Sequence, residues 1–329
     1  MKSRPIGKIT LVWAAVAVLF AAAGIVSPAN GASAYPERPI TLVVPLAAGG
    51  TVDLQARVLA QSMEKELKQP VVVVNKPGGS MTVGGYAVAS AKPDGYTIGL
   101  LTVASSLPEL FSFIQKPPYL SDDLRPVCRI GTSVMAIAVR ADAPWNTLKE
   151  LVEYARSNPR MKYSHQGRGG TSHTAMSAII MAEKLDLVDV PTDGDAAMLP
   201  ALLGGHIPVG IPAYSAAKPL IEAKKIKVLA LCIDKRAPFA PEVPTVVELG
   251  YKLPYIAYHS LFAPAKTGDD LVKKLDEVSR KVSGDKDYIE KMTQMDGLVT
   301  YEDTASFEKT VSRYKADLRA FFKEQGLIQ

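Results

Sequence analysis

The chain is poor in the residues that most chemistries require. Among 329 residues only Cys128 and Cys232 are cysteines, and both sit in apolar, strand-like runs, "RPVCRI" and "VLALCI". A cysteine nucleophile needs an exposed, activated thiol, so that class is set aside. Two buried free thiols are favoured over the bridge that an exported protein permits. Four histidines occur, His165, His173, His206 and His259, and none stands in H-E-x-x-H or a comparable metal-ligand spacing. No G-x-S-x-G elbow is present; "GTSHT" sets Ser172 beside His173 without the flanking glycine or an ordered triad. There is no G-x-x-x-x-G-K-[ST] loop, and no G-x-G-x-x-G followed by a ribose-binding acid. Neither sign of charge dominates, with 38 Lys and Arg against 33 Asp and Glu, which gives no case for nucleic acid. Repeats and low-complexity tracts are missing too.

The amino terminus carries what is there in excess. Lys2, Arg4 and Lys8 precede an unbroken apolar run, 11–26, and "NGASA" places Ala32 and Ala34 at the −3 and −1 positions of a signal-peptidase site. The run is shorter than the roughly 20 residues that span a bilayer, and no cysteine follows it for lipid attachment. Residues 1–34 therefore read as a leader cleaved after Ala34, and the mature protein as exported and soluble. Taking 34 from 329 leaves 295 residues, enough for two domains. The three leader charges reduce the net charge from +5 to +2.

Short Val- and Ile-rich runs predict strands at 40–45, 71–74, 96–103, 127–139, 162–164, 187–190, 207–211, 226–233 and 256–262. Helical stripes fall between them, over 53–67, 147–157 and 172–185, with Thr147 and Glu150 in capping-box spacing. The alternation predicts an α/β architecture with largely parallel sheets. Three amphipathic helices, 269–284, 287–295 and 303–325, close the chain with mixed charges on their outer faces.

Two stretches share an unusual grammar. "VVPLAAGGTVDLQARVL" (43–59) and "KYSHQGRGGTSHTAM" (162–176) each run from a strand through glycines directly into a helix. The first N–H groups of such a helix lack internal partners, and its dipole adds partial positive charge. The corner is thus suited to an anion. Glycines let the backbone approach a ligand without Cβ obstruction. Thr51 adds a hydroxyl, Asp53 is placed for N-capping, and Arg168 sits inside the second corner, either as an anion ligand or paired with a carboxylate. His173 opens the second helix, where it either holds the loop or touches ligand. A third stretch, "NKPGGSMTVGG" (75–85), is either a tight turn or a cleft wall.

At these residues the chain resembles the periplasmic substrate-binding proteins of tripartite tricarboxylate transporters, the Bug-type receptors. The resemblance runs through "YPERPITLVVPLAAGGTVD", "VVVVNKPGGSMTVGG", "AKPDGYTIGLLT", "YSHQGRGGTSH", "LLGGHIPVGI" and "DKRAPFAPEVPTVVELGY", in order over nearly the whole mature length. It implies a two-lobed, type II "Venus flytrap" of α/β class. One lobe spans 35–130 and 232–329, the other 131–231, with the ligand in the cleft between them. It further implies that a ligand carboxylate is held by Ala48, Gly49, Gly50, Thr51 and Asp53 on one side. Gly167, Arg168, Gly169, Gly170, Thr171, Ser172 and His173 lie on the other, with Asp193 as an additional contact. The chain departs from the family pattern at Leu46, Ala47 and Ala48, where an aromatic and prolines are usual. It departs again at His165, Gln166, Arg168, Thr192, Asp193, Pro212 and Ala213.

The expectation is therefore a monomeric, non-enzymatic receptor of the periplasm, without metal or cofactor. It captures a small organic acid (a di- or tricarboxylate or an aromatic carboxylate) and delivers it to a two-subunit membrane permease. An exported small-ester hydrolase and a ligand-sensing partner of a signalling receptor are the alternatives.

Overall fold

The computed structural model describes residues 35–192 and 194–329. The leader, its cleavage site and Asp193 lie outside the described residues. In chain order the elements are β1 (Ile40–Val44), α1 (Thr51–Leu67), β2 (Val71–Asn75), α2 (Thr82–Ala89), β3 (Thr97–Leu101), α3 (Val103–Ser106), β4 (Leu124–Thr132), β5 (Ala136–Arg140), α4 (Leu148–Ser157), β6 (Met161–His165) and α5 (Thr171–Glu183). They continue with β7 (Leu187–Pro191), α6 (Asp195–Leu203), β8 (Val209–Gly210), α7 (Tyr214–Glu222), β9 (Ile226–Leu231), β10 (His259–Pro264), α8 (Asp269–Ser283), α9 (Lys286–Gln294), β11 (Leu298–Glu302) and α10 (Thr304–Glu324). All lie in one unit, Arg38–Gln329. No helix among the described residues is long and apolar enough to cross a membrane.

The strands form two sheets. One has the order β11-β4-β10-β3-β1-β2, the other β7-β6-β8-β5-β9. The pairings β1–β2, β1–β3, β6–β7 and β6–β8 are parallel, as expected of strand–helix alternation. The remainder are antiparallel, so both sheets are mixed and the expectation of largely parallel sheets is corrected. The apolar run 127–139 is not one strand. It divides between β4 in the first sheet and β5 in the second, and it reads as one run because the linking residues Val134 and Met135 stay buried during the crossing.

Each sheet is covered on both faces, and the strand period of two explains how. In β5, Ile137 and Val139 join the core beneath α4 and α5. The intervening Ala138 packs with Met198, Leu202 and Ala217 beneath α6 and α7. In the first sheet, Val43, Leu101 and Phe262 pack with Phe307, Tyr314, Leu318 and Phe322 of α10. The spacing of those four residues is one stripe of a 3.6-residue period. Both cysteines are fully buried and free. Burial pushes each thiol up to about 12, so neither is a nucleophile at neutral pH.

Three elements escape the periodicity of the sequence. Helices α6 and α7 contain Pro200 and Pro219, and β11 is half-buried along its whole length.

Candidate functional site

The first glycine corner joins β1 to α1. Gly50 is the N-cap of α1, in extended conformation, with no side-chain cap. Gly49 has φ +84°, a region that side chains rarely adopt, and a Cβ there meets nothing within 4 Å. The glycine at 49 is thus required by conformation rather than by space. The N–H groups of Thr51, Val52 and Asp53 have no acceptor among the described residues, and only that of Leu54 returns to the Gly50 carbonyl, at 3.0 Å.

Asp53 does not cap the helix, contrary to the expectation. It stands in the first turn of α1, 2% exposed, and its carboxylate reaches back to hold the loop. Oδ2 accepts the Gly49 N–H at 2.8 Å and Arg57 Nε at 3.0 Å; Oδ1 accepts Asn75 Nδ2 at 2.9 Å. Asn75, at the end of β2, also donates to the Leu46 carbonyl at 3.0 Å. Burial pushes the Asp53 carboxyl up, but the Gly49 N–H, Arg57 and Asn75 outweigh it and hold the group below its ordinary value. With both oxygens engaged, Asp53 shapes the corner instead of facing a ligand. The third glycine stretch backs it from below: a Cβ on Gly84 of α2 falls 2.6 Å from Pro45 Cα. That close approach gives the turn a structural task.

The second corner joins β6 to α5, with Gly167 at φ +119° and Gly169 at φ +78°. It is tied by its own side chains. The Gln166 N–H donates to Ser172 Oγ at 3.0 Å, the Gly167 N–H to His165 Nδ1 at 3.1 Å, and the Gly169 N–H to His173 Nδ1 at 3.2 Å. The N–H groups of Thr171, Ser172 and His173 again lack acceptors among the described residues. A Cβ on Gly169 lies 2.8 Å from Phe113 Cζ and 3.1 Å from Phe111 Cδ1, and Tyr255 Oη donates to Thr171 Oγ1 at 3.2 Å. The loop therefore leans on the segment after α3 and on the chain returning to β10. No hydrogen bond joins the two corners directly among the described residues.

Arg168 is not a free cation. Its Nε and Nη2 donate to the two oxygens of Asp189 at 2.8 and 3.0 Å. Asp189 lies on β7 in register with Tyr163, and His165 Nε2 approaches the same carboxylate at 3.3 Å. The Arg168 guanidinium holds the Asp189 carboxyl down at about 2. Desolvation lowers His165 and takes His173 down to about 4, so both imidazoles are neutral at neutral pH.

His165, His173 and Asp189 offer ligand atoms within 4.8 Å of one another. Their chemistry does not fit a divalent ion. Each Nδ1 accepts a glycine N–H, which places the ring proton on Nε2 and leaves no lone pair for a metal. Asp189, in addition, is already occupied by a guanidinium.

Two more helix starts lie beside the second corner. Gly194 caps α6 with φ +80°, Ala213 caps α7, and neither helix has a side-chain cap. Thr147 caps α4, Asp285 caps α9 and Asp303 caps α10, each by accepting a backbone N–H. The starts of α1, α5, α6 and α7, which follow the carboxyl ends of β1, β6, β7 and β8, are left without such caps, as are those of α2 and α8. Two surface cavities of about 340 Å³ lie elsewhere. One is bordered by Tyr214, Lys224 and Glu242, the other by Arg156, Glu183 and Tyr251.

The family model of the tripartite tricarboxylate transporter family receptor matches residues 55–327. A Cupriavidus necator protein described as a UPF0065 protein in the gbd 5′ region is 30% identical over 326 residues, 96% of this chain and 97% of its own length. A TctC solute-binding protein from Polaromonas superposes with TM-score 0.77 at 28% identity, over 88% of this chain and 99% of that one. A Rhodopseudomonas palustris protein with adipate gives TM-score 0.77 at 27% identity (89% and 98% covered). MatC from Rhodopseudomonas palustris with bound malate gives 0.71 at 27% (87% and 99%). The fold is that of the two-lobed type II binding proteins, and these relatives are substrate-binding receptors, not enzymes.

Proposed function

The chain belongs to the tripartite tricarboxylate transporter receptor family, and from that premise we propose that it is a periplasmic receptor for a small organic carboxylate. In this reading residues 35–130 and 232–329 form one lobe and 131–231 the other. The lobes close on the ligand by hinge motion, and the closed form is presented to a two-subunit membrane permease. The mature protein begins after Ala34 and acts as a monomer.

The observation that carries the reading is the set of helix starts without side-chain caps at the carboxyl ends of β1, β6, β7 and β8. Ligands of open α/β sheets bind outside those strand ends. The proposed ligand faces are the backbone of Ala48, Gly49, Gly50 and Thr51 on one side, and of Gly167, Gly169, Gly170, Thr171 and Ser172 on the other. Arg168 stands at the rim, held by Asp189, and Asp193, outside the described residues, is kept as a proposed contact from its place in the sequence alone. Asp53 and His173 position the two loops. Relatives crystallised with adipate and malate support the carboxylate class. Charge-assisted hydrogen bonds contribute about 1.5–3 kcal/mol each before ordering costs, which makes micromolar or tighter affinity the expectation.

Native mass spectrometry of the purified protein, followed by thermal shift and turnover assays over a panel of organic acids, tests it. A receptor at a hundredfold excess of ligand over Kd gains about 2.7 kcal/mol and consumes nothing. Consumption of the acid, or a panel in which no carboxylate raises the Tm, refutes the reading.

A further inference from the structure

Asp195 is the feature beside the helix starts that a bare carboxylate ligand does not explain. It opens α6 and is half-buried. Its Oδ1 accepts Gln166 Nε2 at 2.5 Å and the Ala213 N–H at 3.2 Å. These two contacts fix the carboxylate between the second corner and the start of α7. Gln166 in turn donates its own N–H to Ser172, so Asp195 is two hydrogen bonds away from the unpartnered amides of α5. Oδ2 has no partner among the described residues, nor does any cation face the group. Arg168, the nearest arginine in sequence, is committed to Asp189. The carboxylates of the two glycine corners are treated differently: buried Asp53 has Arg57 and Asp189 has Arg168.

A carboxylate partly withdrawn from water without a counter-charge carries a cost that a cation in the open space beside it would relieve. An acid in the first turn of a helix is ordinary when it serves the dipole. This one, however, spends an oxygen on two donors from other elements and holds the second oxygen open. Burial accordingly raises its pKa, the two hydrogen bonds only partly opposing this.

We propose that Asp195 is a specificity residue that accepts a charged N–H of the ligand, so that the preferred ligand is a small carboxylate bearing an ammonium group. This rests on the receptor reading above and names the ligand class within it. The backbone amides take the carboxylate, and Asp195 Oδ2 takes the ammonium. The ligand would then supply the counter-charge that the protein does not.

The test is isothermal titration calorimetry of wild type and Asp195→Asn with matched pairs: aspartate and succinate, glutamate and glutarate, 4-aminobutyrate and butyrate. Asparagine keeps an acceptor for Gln166 and Ala213, so the Tm should stay within about 2 °C of wild type. The expected result is one ammonium-bearing acid that binds wild type at least tenfold more tightly than its partner. Asp195→Asn should remove that preference without weakening the partner acid. Equal or tighter binding of every partner acid by wild type overturns the inference and leaves the carboxylate receptor standing. An ammonium preference that survives Asp195→Asn also overturns it. Failure of all six acids to bind folded protein removes the receptor reading, and the inference with it. Should Asp195→Asn misfold, Asp195→Ser carries the second comparison, with the same outcomes deciding it.

Discussion

Replacing Asp53 by alanine separates a loop-holding role from a ligand-contacting one. The carboxylate is 2% exposed and accepts three donors, and the cost of losing it follows from what each donor does next. Gly49 is exposed, so its N–H recovers a bond to water. Asn75 retains the Leu46 carbonyl at 3.0 Å. Arg57 is half in solvent, 51% exposed, so its ion pair contributes little. Hydrogen bonds to a charged acceptor contribute about 1.5–3 kcal/mol each, and these recoveries leave a net loss of about 2 kcal/mol. That corresponds to a fall in Tm of about 3 °C for a chain of this size. Because the same bonds hold Gly49 beside the open amides of α1, affinity for the carboxylate ligand should fall at least tenfold. Thermal melts and calorimetry on Asp53→Ala read both quantities. Lost affinity with an unchanged Tm would make Asp53 a direct ligand contact and refute the reasoning. The pH dependence supplies a second check. The folded carboxyl sits below its ordinary value of 3.8, so its contribution is present above that value and lost as pH falls below it. Melting curves of wild type and variant should therefore converge in acid.

Three further outcomes are expected. Arg168→Ala should change the ligand Kd by less than about threefold, since an exposed guanidinium already paired with Asp189 has little left to give. A tenfold loss by calorimetry would show that ligand draws Arg168 away from Asp189. Buried His173 titrates near 4 against 6.5 unfolded, so the unfolded chain takes up the proton first as pH falls. Stability should drop by about 3 kcal/mol between pH 6.5 and 4 from this residue alone, and His173→Gln should flatten that slope; an unaltered slope in denaturant titrations would place the acid sensitivity elsewhere. Gly50 is in extended conformation, and a Cβ there makes only an ordinary 3.7 Å contact with the Ala47 carbonyl. Gly50→Val should thus fold normally yet bind at least tenfold more weakly, because the side chain covers the amides of α1. Wild-type affinity would show that this corner does not face the ligand.

Both corners were legible because their signal is local. A short strand-like run, two or three glycines and a helical stripe within 17 residues specify strand, turn and helix start without reference to the rest of the chain. The capping of α4 was legible for the same reason: Thr147 accepts the Glu150 N–H at 3.1 Å. Even there one arm of the box moves, since the Glu150 carboxylate takes the N–H of Asn146 and not that of Thr147. Helices α6 and α7 were hidden by Pro200 and Pro219, each placed in the sixth position of nine residues. A proline that far along removes a helical hydrogen bond and reads as a break, yet packing of Met198, Leu202 and Ala217 against Ala138 retains both helices.

Side-chain roles were not legible, and the reason is topological. The loop sequence offers Asp53 as an N-cap and leaves Arg168 open between an anion and a carboxylate, and the family resemblance adds a ligand role for both; their hydrogen bonds are decided by strands that arrive later. Asn75 comes from β2, 22 residues beyond Asp53, and Asp189 from β7, 21 beyond Arg168. In each case the adjacent parallel strand delivers a partner to the same sheet end where the glycines turn. A charged residue at such a corner is therefore bound first by the neighbouring strand, and only an unclaimed group is left for a ligand. By that criterion the backbone amides of α1 and α5 are open to a ligand, Asp53 and Arg168 enter the proposal as groups already engaged, and Asp195 keeps one oxygen that no neighbouring strand occupies.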